Sequence, residues 1–505
     1  MDGEQTAKFK PYLFGQAELL PASLDEWIPT DDLVRTVSDI VEELNLSELM
    51  ARYSERGEEA YHPRMMVKVL FYGVAMGVFS SRELQRKIHF DICFRWLCGI
   101  GDKPDFRTIS DFRKNNLDVL PKLFRDIVEI ASRLGYVSLG HVSIDGSKIK
   151  ANASKHKAMS RERMKQELAR IEKEIGQALE AAQVEDESHN GTVPLFELQG
   201  AQMESLIDRR DNIKAALAEL EQRKPDDGSE DCKKDQISFT DPDSRITNTK
   251  NQSVIQGYNP QIAVDADNGF IVGVGVSMSN SSSDQQQFDA VLDSIQENTG
   301  RMPQKVTADA GYFSAANIES CQSRKVDGYI ASREGRQVGN SFDKQNFTYD
   351  PRADVYVCPA GKMLTLKQTQ HAKDPHKSTK WVYECQACPQ CPFWKECARA
   401  ESGLRTITRT EADPVREAMR TKVQSEEGKA IYRQRKMIVE PVWGEVKQVQ
   451  AFRQFHLRRK EKVQGQEFLL VAIGRNLRKL HAMSHPKPDT RYRRERSAQK
   501  RRTAA

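Results

Sequence analysis

The sequence predicts an α/β protein built on a mixed sheet, with a helical N-terminal domain and two inserts. Three observations carry this. Apolar residues recur at three- and four-residue spacing up to about residue 135. From His141 the pattern turns to short alternating strands broken by one tight turn and by helices. A heptad-like stretch and a cysteine-rich stretch then interrupt that alternation. At 505 residues the chain is long enough for two to four domains with their own cores.

The first 135 residues read as helices. Leu33, Val37, Ile40, Val41 and Leu44 form one apolar stripe, and Met65 to Phe79 is apolar nearly all round, as a buried helix requires. Ser81-Arg82-Glu83-Leu84 opens a further helix with a Ser N-cap. Asp105 to Arg113, with Phe106, Arg107 and Phe112, is basic and aromatic together. A helix-turn-helix has this character and so has an ordinary bundle, which the sequence alone slightly favours.

His141-Val142-Ser143-Ile144-Asp145 is the first core strand and ends in a carboxylate. Tyr258 to Val264 and Phe270 to Met278 are the next two, joined at Asn268-Gly269, a strong hairpin signal. Ser283 to Asn298 is a helix with Phe288, Val291, Leu292 and Ile295 on one face. Lys305 to Asp309 is a fourth strand, again ending in a carboxylate, before a helix at Ala315 to Ser323 and a fifth strand at Gly328 to Ser332. The core is therefore expected over residues 136–480. An insert at 156–240 carries stripes from Met164 to Ile175 and from Met203 to Leu220, the pattern of an antiparallel helical hairpin or short coiled coil. A second, strand-poor insert at 336–409 holds the cysteines.

Asp145 and Asp309 stand at the ends of strands that this order places side by side, and Glu440 lies on a helix expected at Tyr432 to Gln448. Three converging carboxylates are the donor set for two divalent ions and phosphodiester chemistry. Asp265 and Asp267 compete but read as hairpin residues. Glu445 is about 140° around the helix from Glu440 and cannot share its direction.

The formal charge of +5 decides nothing, but its distribution does. Eight Lys and Arg crowd beyond residue 485, and the expected disordered tail at 481–505 suits nucleic acid as well as it suits a solubilising terminus. No apolar run suggests a membrane span or a secretory signal, and nine cysteines, five of them between Cys358 and Cys397, fit a reducing cytoplasm. Arg458 and Arg459 read equally as DNA contacts or as a solvated basic face.

Taken together, Ser143 to Ile149, Gly257-Tyr258-Asn259-Pro260-Gln261, Ala308 to Tyr312 and Val439 to Lys447 resemble the DDE transposases of bacterial insertion sequences. Tyr61-His62-Pro63-Arg64 and Phe106 to Arg113 resemble the helical DNA-binding domain of those enzymes. The resemblance covers most of residues 10–482. It implies a ribonuclease-H-like core and assigns Asp145, Asp309 and Glu440 to two Mg²⁺ (or Mn²⁺) ions. It also implies cleavage at terminal inverted repeats, transfer to target DNA, and a homodimer on DNA in the bacterial cytoplasm, at the nucleoid. Lys447 falls seven residues after Glu440, as the family pattern asks. Lys436 stands in the usual Arg slot, Tyr432 lies one place early, and Arg435 reads either as taking the Arg's role or as facing solvent. Lys447, Arg435, Tyr432, Lys148, Arg107 and Arg113 are the candidate DNA contacts.

Within the second insert, Cys388-x-x-Cys391 is a zinc-type pair that Cys358 and Cys397 would complete, with Cys385 as an alternative ligand. A structural Zn²⁺ is the expected occupant, since no His lies among them.

Overall fold

The computed structural model describes residues 23–53, 60–101, 103–154, 157–187, 194–222, 236–248, 254–277, 283–332, 342–371, 378–397 and 403–486. The N-terminal extremity, the turn of the helical hairpin near Asn190 and most of the basic tail lie outside them.

Among the described residues, a 3-10 turn (Leu24–Trp27) precedes seven α-helices: α1 (Leu33–Glu43), α2 (Ser47–Met50), α3 (Pro63–Ala75), α4 (Ser81–Phe90), α5 (Ile92–Cys98), α6 (Phe106–Asn116) and α7 (Leu120–Arg133). The apolar run of α3 is buried along its length, capped by His62 and started by Pro63 at a position where a missing N–H costs nothing. Asp32 caps α1 by accepting the Val34 N–H at 2.8 Å. These helices share one hydrophobic cluster with the core that follows, rather than closing on a core of their own.

The central sheet contains β1 (His141–Gly146), β2 (Ile149–Lys150), β5 (Arg245–Asn248), β6 (Val254–Asp265), β7 (Ile271–Ser277), β8 (Lys305–Ala308) and β9 (Asp327–Ile330). Its spine runs β7-β6-β1-β8-β9, antiparallel across β7, β6 and β1 and parallel across β1, β8 and β9. The first and fourth expected strands are thus neighbours. Asp265, at the end of β6, is fully buried and accepts the Leu139 and Asp267 N–H groups, which makes it a hairpin anchor.

Helix α10 (Ser283–Thr299) packs on β7, with Phe288, Val291, Leu292 and Ile295 fully buried. Gly273 permits that approach, because a Cβ there would stand 2.9 Å from Ile295 Cγ1 and 3.1 Å from the Val291 carbonyl. Filling such a contact typically costs about 1–3 kcal/mol. After β8 come α11 (Ala315–Ser323), α13 (Asp413–Gln424) and α14 (Glu426–Gly444). Helix α14 crosses β1 and β8 and continues into a π-helical turn at Glu445–Val449. Helix α16 (Leu469–Ser484) closes the core against α3 and α7.

The first insert pairs β3 (Ala158–Ser160) with β4 (Gln236–Ser238) at the base of α8 (Arg161–Glu187) and α9 (Pro194–Gln222). Met164, Ile171, Ile213 and Leu220 form the seam between the helices, and Arg209–Glu167 and Lys214–Glu172 ion pairs bridge it. The second insert corrects the expectation of a strand-poor region. It is a five-stranded antiparallel meander, β10 (Thr348–Asp350), β11 (Val355–Val357), β12 (Met363–Gln370), β13 (Lys380–Glu384) and β14 (Thr406–Thr410), with the short α12 (Trp394–Cys397) in its last connection. Its strands are short and polar on one face, so they resemble loop until Tyr356, Leu364, Tyr383 and Ile407 are seen to close a small core.

Candidate active site

Alternation along β1 decides which side chains reach the site. Val142 and Ile144 turn into the apolar core, so His141, Ser143 and Asp145 face the other way. Parallel pairing sets Ser143 opposite Thr307 and Ile144 opposite Ala308. The shared polar face is visible in the hydroxyls: Ser143 Oγ lies 2.6 Å from Thr307 Oγ1, and His141 Nε2 lies 3.0 Å from the same atom. One residue past the last paired couple, Ile144 and Ala308, the same register leads to Asp145 at the end of β1 and Asp309 just beyond β8, on neighbours typically about 4.8 Å apart.

Helix α14 lies over this face. Arg435 is only 8% exposed and donates from Nη1 to Asp145 Oδ1 at 3.1 Å. Burial works against its charge, but the carboxylates of Asp145 and Asp309 more than offset it and hold the guanidinium above the ordinary arginine value. Asp309 Oδ1 accepts the Gly311 N–H at 2.7 Å. A cation thus pairs with Asp145 and acts electrostatically on Asp309, easing the repulsion between two carboxylates on adjacent strands.

A second layer lies beneath the pair. Asp284, in the first turn of α10, accepts from Gln261 Nε2 at 3.0 Å and from Asn259 Nδ2. Tyr312 donates its hydroxyl to Gln261 Oε1. Burial, and then the charges of Asp284, Asp145 and Asp309, push the Tyr312 pKa well above the ordinary tyrosine value, so it stays a donor. A Cβ on Gly311 would meet Asp284 Oδ2 and Asp309 Oδ1, both at 2.9 Å, so only glycine lets these two acids flank it. Sequence reasoning missed Asp284, because an acid in a first helical turn is ordinary. Asn259 and Gln261 lay in a quoted motif that carried no assigned role.

Glu440 is not brought to the pair. It is exposed, and five residues beyond Arg435 it points about 140° away around the helix. Its competitor Glu445 is already engaged, with Arg478 at 3.0 Å and the buried Arg475 at 3.4 Å. Lys447 donates to Ser147 Oγ, two residues from Asp145, and lies over Trp443. Tyr432 sits 5.9 Å from the Arg435 guanidinium, and Lys436 is exposed. Lys148 donates to the Asn248 carbonyl at 2.8 Å. Arg107 is exposed beside Phe106, as a DNA contact needs. Arg113 is a correction: its guanidinium turns inward and donates to the Phe79 carbonyl at 2.6 Å, and burial lowers its pKa. It ties α6 to the connection between α3 and α4 instead of facing DNA.

Among the described residues, no three His, Cys, Asp or Glu side chains stand posed around one ion. The donors nonetheless match the expected metals in kind. Asp145, Asp309 and Asp284 offer only oxygen, which suits Mg²⁺. Cys358, Cys385, Cys388, Cys391 and Cys397 all line one cavity of about 20 Å³, room for a single atom. Backbone N–H groups of Lys362 and Arg405 point at the Cys358 and Cys388 sulfurs, at 3.2 and 3.3 Å. Burial pushes the Cys385 thiol up to about 11.

The dependence of the pair on its cation is testable. Arg435→Met is expected to lower stability at neutral pH by about 3 kcal/mol, since it leaves neighbouring carboxylates without their counter-charge. Millimolar Mg²⁺ should restore part of the loss in denaturant titrations. An unchanged midpoint would show that the ion pair does not hold this face together.

Comparison with known families gives two matches. A model described as Transposase domain (DUF772) matches residues 22–115, the helical N-terminal region. A model described as Transposase DDE domain matches residues 357–481, from the cysteine insert through α14 to α16. No curated protein and no solved structure matches the chain. Two transposase domains at opposite ends of one chain, joined by a mixed sheet of the expected topology, identify a DDE-type transposase of the insertion-sequence kind.

Proposed function

We propose that this protein cuts and joins DNA at the ends of its own mobile element. The observation that carries the reading is the register that sets Asp145 and Asp309 on neighbouring strand ends, under a helix that brings Arg435 onto Asp145. Asp145 and Asp309 would hold two Mg²⁺ ions; the resemblance names Glu440 as the third ligand, although the helix carries it away from the pair in this structure. Such ions supply an activated nucleophile and a stabilised leaving oxygen. The chain's own residues do the positioning. Arg435 lies where it can pass from carboxylate to phosphate as substrate arrives. Lys447, beside Ser147, presents a second positive charge to the strand backbone. In the first step water adds to phosphorus and the P–O3′ bond breaks, freeing a 3′-hydroxyl. In the second that hydroxyl attacks a target phosphodiester, forming one P–O bond as another breaks. Both element ends must be present, so the working assembly is a homodimer on paired inverted repeats.

Cleavage of a labelled element end in Mg²⁺ tests this. Asp145→Ala, Asp309→Ala and Glu440→Ala are each expected to reduce cutting by roughly 1,000-fold or more while end binding survives. Wild type that binds ends but neither cuts them nor joins pre-cut ends would favour a transposase-derived binding protein, and cutting without joining a nuclease. Activity lost in Glu445→Ala but kept in Glu440→Ala would move the third carboxylate one turn along.

The five-thiol cavity is proposed as a structural zinc site that holds the meander's connections together, drawn from Cys358, Cys388, Cys391 and Cys397 with Cys385 as the alternative. The purified protein should contain one zinc per chain, released by a thiol-modifying reagent with loss of thermal stability. Protein without zinc that melts at the same temperature would remove the metal from the account.

A further inference from the structure

We propose that a cavity of about 480 Å³ at the outer end of β6 is a backbone-binding groove for the DNA strand leaving the active site; the proposal rests on the function assigned above. Its lining includes Lys150, Lys157 and Arg458, with Asn152, Gln256 and Gln454 as neutral polar partners and no acidic residue. All three cations are exposed. Among the described residues none of them is paired with a carboxylate, whereas neighbouring Arg459 is bound to Glu219 at 2.9 Å and approaches Asp243. Exposed cations converging on one concavity without acids are the footprint of a polyanion.

Position relates the groove to the chemistry. Asp145 pairs with Ile262 on β6, Ile149 with Tyr258 and Lys150 with Gly257. The same strand then runs on through Gln256 to Val254 in the groove. From Ile262 to Gln256 is six residues of strand, about 20 Å. That span matches about six phosphates of one strand at ~3.4 Å each.

The wall is also held in place. Phe455 donates its N–H to the Lys150 carbonyl at 2.8 Å, so the segment beyond α14 runs along β2. The buried Glu467 carboxylate accepts the N–H groups of His456 and Leu457 at 2.9 and 2.8 Å. Asn152 Nδ2 donates to the His456 carbonyl, and Arg458 Nε to the Asn152 carbonyl. The cations are therefore presented by a braced edge, and little ordering remains for binding.

The test is the salt dependence of binding to a fluorescent duplex of about 40 base pairs, between about 50 and 200 mM salt. Lys150→Gln with Lys157→Gln and Arg458→Gln should flatten the slope of log affinity against log salt by about 3, and Lys150→Gln alone by about 1. On an element end, neutral methylphosphonates roughly six nucleotides from the cut should weaken wild type but not the triple variant. A folded triple variant with wild-type slope and an unchanged methylphosphonate profile overturns the groove while cleavage stands. Wild type that binds neither duplex nor element end overturns the groove together with the reading it rests on.

Discussion

Parallel pairing of β1 with β8 is the constraint on which the rest depends. It fixes Ser143 against Thr307 and thereby sets two aspartates side by side one alternation further on. Two carboxylates on adjacent strands repel unless a cation intervenes. In this structure Arg435 supplies the cation, and it reaches the site only because α14 lies across the same face. Sheet register, helix placement and local charge thus form one arrangement.

The layer beneath explains how the pair is kept in position. Gly311 has no side chain because Asp284 and Asp309 fill the space where one would stand. Gln261 takes the Tyr312 hydroxyl at its oxygen and gives its amide to Asp284, so a neutral residue links a buried phenol to a carboxylate. Each member has a partner, as low-dielectric networks require. On the outer side, Glu445 is consumed by Arg475 and Arg478, which anchors the end of α14 to α16 and leaves Glu440 exposed.

Much of this was legible in the sequence. The alternation of His141 to Asp145, the Asn268-Gly269 turn and the helix stripe at Phe288 to Ile295 fix strand, hairpin and helix through local physics, and the order of elements makes β1 and β8 neighbours. The direction of individual side chains was not legible. Arg113 reads as a DNA contact in a basic, aromatic segment, yet a carbonyl 34 residues away claims it. Arg435 reads as a phosphate ligand, and its partner is 290 residues distant. Asp284 carries no local mark at all. The meander of the second insert was hidden because its strands are three to eight residues long and polar on one face.

The central claim is that Asp145 and Asp309 form a divalent-metal centre in which Arg435 now pairs with Asp145. The most direct measurement is the anomalous density of Mn²⁺ in crystals of the wild-type protein bound to an element end. Manganese between Asp145 and Asp309, with Arg435 drawn away to phosphate, is the predicted result. An Arg435–Asp145 pair that persists in the complex, with manganese bound elsewhere, would contradict it.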